Sequence, residues 1–416
     1  MDELTEVTGY ISQIVKFNSQ QTPPVEGAPF GKGAADCLAY FLGLAKSFGF
    51  ETKNYDNYAG EVIFGEGESF AILAHLDVVP AGNGWTHDPF GGEVDSINKK
   101  IWGRGTMDDK GPAVIALYCL KMLKDEGFKP AKKIKLIVGC NEESGWGCID
   151  YYSRHAEMPE TGFSPDADFP VIYAEKGILQ LKLTFPRLEG FEVLSGGSYA
   201  NMVCDLVEAV APDYKDKPDG LTYQNGKIIS RGVTAHGSTP HLGKNAIAPV
   251  LEYLGLNDMH SLLFGDGFGL EDMQDETGKL TFSPNIISTD GEGIHVICDI
   301  RYPATKSESE VLSRISAKGI KYEVLHAQAP LYNDKQSELI TTLCSVYNEV
   351  TGKNMNPVAI GGGTYARALR YGAAFGPEEE GEESTIHKPD EYITFEKIDK
   401  CIKIYKLAIE RLCKRK

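Results

Sequence analysis

Hydrophobic positions recur with two different periods along the chain, and the switches between them mark out its elements. Over residues 34–48 apolar side chains follow a helical repeat, whereas 70–77 is a short unbroken apolar run that suits a strand buried on both faces. Residues 112–126 open with Pro112 and run helical to Gly127, and 133–140 reads as another buried strand. This alternation of helical and strand-like stretches predicts an α/β layer around a mainly parallel sheet.

The character changes between residues 178 and 328. Residues 179–185 and 296–301 alternate apolar with polar, as half-buried strands do, and helical stretches at 246–254 and 307–317 lie among them. From 329 the first style returns, with a helix over 337–350, a strand around Val358 and a closing helix over 395–413. The expected architecture is α/β: a discontinuous catalytic domain (residues 1–177 and 329–416) interrupted by an inserted α+β lid domain (178–328). A length of 416 residues fits this, since it exceeds what one hydrophobic core organises.

Charge narrows the class of partner. Asp and Glu outnumber Lys and Arg by 59 to 42, for a formal net charge of -17, which argues against nucleic acid. The basic end, Lys414, Arg415 and Lys416, reads as solvated helix terminus. Met1 leads into Asp2, Glu3 and Glu6 without the apolar core of a secretory signal, and no apolar run is long enough to span a bilayer. Nine dispersed cysteines with no CxxC pair read as buried thiols in a reducing compartment. The expectation is a cytoplasmic protein without membrane or nucleic-acid partners.

Candidate chemistry gathers at strand ends. His75 and Asp77 stand two residues apart at the end of the 70–77 run, so both project from one face at the carboxyl edge of the sheet. Taken alone, a strand-end histidine is an ordinary core residue. Gly103, Gly105 and Gly111 flank Asp108 and Asp109 just before a helix; glycines there can cradle a phosphate, but two adjacent carboxylates suit a cation instead. Glu142 and Glu143 directly follow the 133–140 strand, where a charged helix start is the plainer account. Asp166 lies in a loop between Pro165 and Pro170, and His387 lies in a late loop before Pro389. Together, two histidines and several carboxylates at the edges of one α/β domain can build a pair of metal sites. A neighbouring carboxylate would then be free to take a proton from water.

The runs around His75–Gly82, Gly103–Pro112, Glu142 and Glu143, Pro165–Pro170, Thr234–Pro240 and His387 resemble, in content and order, the co-catalytic di-zinc metallopeptidases. That family includes aminoacylases, carnosinases and glutamate carboxypeptidases, and the resemblance looks closest to its PepV-type bacterial dipeptidases. It spans residues 75–392. It implies two Zn²⁺ ions, with Mn²⁺ or Co²⁺ as alternatives: one on His75 and Asp166, one on Glu143 and His387, with Asp108 bridging. It further implies a cis peptide at Asp108-Asp109, Asp77 orienting His75, and Glu142 as general base. His236 would stabilise the oxyanion, and Arg301 would grip the substrate carboxylate bidentately. Asn201, Gly363 and Thr364 would complete substrate binding. Aspartate at position 166 favours small peptides with a free N-terminus, an N-acyl amino acid deacylase being the alternative. A monomer is favoured over a homodimer, although the inserted domain is shorter than the PepV-type lid, so His236 delivered by a partner chain is the other arrangement.

Overall fold

The computed structural model describes residues 2–213 and 217–414. Of the basic end, Lys414 is exposed, while Arg415 and Lys416 lie outside the described residues. The chain divides into two compact units. One comprises Met1–Tyr173, Asn333–Val358 and Thr364–Lys416; the other comprises Ala174–Tyr332 and Ala359–Gly363.

The first unit is built on a sheet whose strands run in the order Glu51–Tyr55, Ala59–Phe64, Lys133–Gly139, Ser69–His75, Thr161–Ser164, Tyr371–Ala374. Its centre is parallel: Ser69–His75 pairs in parallel with both Lys133–Gly139 and Thr161–Ser164, which in turn pairs in parallel with Tyr371–Ala374. The flanking pairs, Lys133–Gly139 with Ala59–Phe64 and that strand with Glu51–Tyr55, are antiparallel. The α/β expectation therefore holds, with the parallel part at the middle of the sheet. The two central strands read as unbroken apolar runs because both their faces are covered, and Ala71 to Ala74 and Leu136 to Val138 are all fully buried.

The helix Lys110–Asp125 packs on the central strand and on the closing helix Phe395–Cys413, which explains why it is apolar nearly all round. It begins two residues before Pro112, so the proline sits within the first turn, where its missing N–H costs no hydrogen bond. The helix Glu308–Ser316 starts with a capping box, Ser307 and Glu310 each satisfying the other's backbone N–H.

The second unit is α+β. A four-stranded antiparallel sheet runs in the order Thr281–Thr289, Ile294–Tyr302, Gly177–Phe185, Lys321–Gln328, and a second runs Glu192–Gly196, Leu206–Val210, Lys227–Arg231, Leu221–Gln224. Their core includes Leu179, Leu181, Leu183, Val296, Cys298 and Ile300, the inward members of the alternation visible in the sequence.

Leu73 is fully buried at the centre of the first sheet, opposite Ile137. Leu73→Ala should cost about 2–5 kcal/mol, read as a lower urea midpoint, whereas Ile97→Ala, at a position 91% exposed, should leave the midpoint unchanged.

Candidate metal centre

The strand Ser69–His75 ends by placing a histidine, fully buried, at the carboxyl edge of the parallel sheet. Its backbone N–H donates to Asp109 Oδ2 at 3.1 Å. Its Nδ1 lies 3.0 Å from the Asp77 main-chain oxygen, and a carbonyl can only accept, so Nδ1 carries the proton. That tautomer leaves a lone pair on Nε2. Nε2 is buried without a hydrogen bond, yet it lies 3.0 Å from Asp108 Oδ1 and 3.6 Å from Asp166 Oδ2. A lone pair faces carboxylate oxygens at such distances only if a positive species, a proton or a metal ion, lies among them.

Asp108 stands between two imidazoles, its Oδ1 toward His75 and its Oδ2 2.8 Å from His387 Nε2. The same His387 nitrogen lies 3.1 Å from Glu143 Oε1. Two groups of donor atoms result, each within 4.8 Å: His75, Asp108 and Glu143, and His75, Glu142 and Asp166. The five side chains singled out as ligands thus lie together, and their nitrogen and oxygen donors fit a divalent transition ion.

Electrostatics point the same way. Burial and the neighbouring Asp108 carboxylate push Asp166 up to about 7, and burial also raises Glu143 and lifts Glu142 well above the ordinary carboxylate range. Burial disfavours charge on His387 as well, but the Asp108 and Glu143 carboxylates outweigh it and raise the imidazole to about 10. So many buried acids around two imidazoles form a site that favours added positive charge.

Backbone hydrogen bonds to further carboxylates fix the loops that carry these donors. Asp77 accepts the N–H of Glu142 at its Oδ1 (3.0 Å) and of Glu143 at its Oδ2 (3.1 Å), so it shapes the glutamate turn as well as lying 3.5 Å from the His75 ring. The glutamates are therefore not a helix start; the helix begins later, at Gly147. Glu391 holds the glycine-rich loop, accepting from Gly105 N (3.0 Å), Met107 N (2.9 Å) and Arg104 Nη1 (2.7 Å). Gly105 has φ +88°, a backbone conformation that favours glycine, and a Cβ there would lie 2.9 Å from Val78 Cγ1. The Asp108-Asp109 peptide is cis.

Three residues expected to contact substrate cluster within the second unit. The Asn201 carbonyl accepts the N–H of Gly237, next to His236. His236 Nδ1 accepts the Ser238 N–H at 3.2 Å, which puts the imidazole proton on Nε2, and partial desolvation and the Arg301 cation hold its pKa below the ordinary value. Arg301 grips Asp299 through Nε and through Nη2 (3.0 Å), so the bidentate edge expected to hold substrate is occupied by a carboxylate of its own strand. Gly363 ends the short segment Ala359–Gly363 of this unit. Thr364 opens the following segment of the first unit, where it caps the short helix Tyr365–Ala368.

The sequence reading gave no part to Glu391 or to the bond between Asp109 and the His75 N–H. Glu391 lies four residues after His387, but nothing along the chain marks a carboxylate whose partners are the Gly105 and Met107 N–H groups. The acid adjacent to Asp108 was the one visible signal for Asp109.

The pattern that defines peptidase family M20/M25/M40 matches residues 71–411. A Beta-Ala-Xaa dipeptidase of Lactobacillus delbrueckii subsp. lactis is 35% identical, across 94% of this chain and 92% of that protein. Among solved structures, human carnosine dipeptidase 1 superposes with a TM-score of 0.59 at 12% identity, covering 99% of both chains. The aminoacylhistidine dipeptidase of Vibrio alginolyticus does so with a TM-score of 0.59 at 15% identity, covering 100% of this chain and 97% of the other. Those structural likenesses show the fold, and the family match, across most of the chain, shows the lineage. This chain belongs to peptidase family M20/M25/M40.

Proposed function

We propose that the protein is a cytoplasmic, zinc-dependent dipeptidase that hydrolyses short peptides with a free N-terminus. The observation that carries this is Asp108 set between the two imidazoles, with the His75 Nε2 lone pair turned to carboxylates rather than to a donor. His75 and Asp166 would hold one Zn²⁺, Glu143 and His387 the other, and Asp108 would bridge them. Bound there, the ions would supply Lewis acidity, polarising a peptide carbonyl and lowering the pKa of water so that it can give up a proton and become the nucleophile.

The remaining steps belong to side chains. Glu142 takes the proton from the attacking water and passes it to the leaving amine. His236, neutral with its proton on Nε2, donates to the oxyanion of the tetrahedral intermediate. Arg301, steadied by Asp299, offers Nη1 to the substrate carboxylate, which favours substrates as short as a dipeptide. Asn201, Gly363 and Thr364 complete the substrate contacts. The name of the Lactobacillus relative favours peptide bonds over acyl amides. All nine cysteines are buried and unpaired, as a reducing cytoplasm would keep them.

Glu142→Gln should retain bound metal and lose about 10²–10⁴-fold in kcat; near-parental turnover would remove Glu142 from the proton path. On protein stripped of metal and reloaded with Zn²⁺, Mn²⁺ or Co²⁺, free dipeptides should be cleaved and their N-acetyl analogues should not. The opposite preference would make the enzyme a deacylase. Glu391→Gln leaves Arg104 without its counter-charge in a pair whose side chains are 2% and 0% exposed. It should cost about 3–5 kcal/mol and loosen the Asp108 loop, read as a lower Tm and less metal kept on dialysis.

A further inference from the structure

Glu142 and Glu143 are neighbours in one turn, and both present oxygens to the metal centre: Glu143 beside His387, Glu142 in the donor group with His75 and Asp166. Chemically they are the same group, so something must keep one of them available as a base. Among the described residues, Glu142 receives one side-chain hydrogen bond that Glu143 does not: the indole Nε1–H of Trp146 donates to Glu142 Oε1 at 3.1 Å.

We propose that Trp146 is a positioning residue for the reaction, tying back Oε1 of Glu142 so that Oε2 is the atom left to accept and return the proton. The inference rests on the role given to Glu142 above. An indole N–H can donate but not accept, so it cannot take the proton from Glu142 and divert it from the substrate. It also occupies one carboxylate oxygen, which discourages Glu142 from chelating an ion through both and leaves ligation to Glu143.

The tie is built rather than incidental. Asp77 anchors the backbone of Glu142 and Trp146 anchors its carboxylate, so the side chain is held at both ends. Trp146 has φ +63°, a conformation unfavourable for a bulky residue, and its own N–H closes the turn on the Asn141 carbonyl at 2.8 Å. Its ring packs edge-on against Tyr365, centroids 5.4 Å apart, and Tyr365 is fully buried with its hydroxyl 3.2 Å from Cys148 Sγ. The same tyrosine ring meets the His75 ring edge-on at 6.2 Å. The indole is therefore seated on the framework that backs the first metal ligand.

Trp146→Phe keeps the ring packing and removes the donor. It should retain bound metal and Tm, lower kcat by about 10- to 100-fold and leave KM within about twofold. In a Glu142→Gln background, followed by single turnover, the same change should have no further effect. A Trp146→Phe kcat within about twofold of the parent overturns the proposal, and so does an equal loss in the Glu142→Gln background. A second measurement does not depend on that variant folding. The chain has three tryptophans, so ¹⁵N-indole labelling should give three N–H signals. Glu142→Ala should move one of them upfield, and three unmoved signals overturn the tie. If Glu142→Gln itself turns over normally, the base assignment fails first; if it is inactive while Trp146→Phe is normal, only the Trp146 proposal fails.

Discussion

The structure of the first unit is organised around a concentration of buried negative charge. His75 and His387 face Asp108, Glu143 and Asp166 at 2.8–3.6 Å, and burial makes each of those charges expensive unless a positive partner is close. A sheet edge can hold such a group because strand carboxyl ends converge there while their loops diverge. The loops can then be shaped around these side chains without disturbing the core. The fully buried central strand and the apolar helix Lys110–Asp125 form the rigid floor beneath it.

A second set of carboxylates holds the first in place, and all of them work in the same way. Asp77 accepts two consecutive N–H groups of the glutamate turn, Asp109 accepts the N–H of His75, and Glu391 accepts two N–H groups of the glycine-rich loop. Each ties an otherwise free loop backbone to a defined position, and loop donors are only as useful as their placement is reproducible. Adjacent acids in this family member thus divide their tasks, Asp108 facing the imidazoles while Asp109 bonds to backbone.

Much of this was legible before any coordinates. Residues 70–77 and 133–140 announced buried strands because covering both faces of a strand demands an unbroken apolar run, and both are central strands of the sheet. The alternation at 179–185 likewise marked a strand with one face on the core. His75, Asp108, Glu143, Asp166 and His387 stood out by residue type and by lying at strand ends or in loops near them, and the fold brings all five side chains together. Less legible was Arg301, whose sequence context gave no sign that Asp299, two residues earlier on the same strand face, would occupy its bidentate edge.

What the sequence alone determined, then, is the period of its elements, the α/β class and the presence of acids and imidazoles at strand ends, since these depend on residue type and local spacing. Tertiary structure decided which partner each of them meets. Glu142 differs from Glu143 by the indole that reaches its oxygen, and Glu391 acts on a loop 286 residues away in the chain. A hydrogen bond depends on distance and angle in space, and side chains adjacent in a turn diverge there. No pattern along the chain encodes which of two identical carboxylates meets a donor.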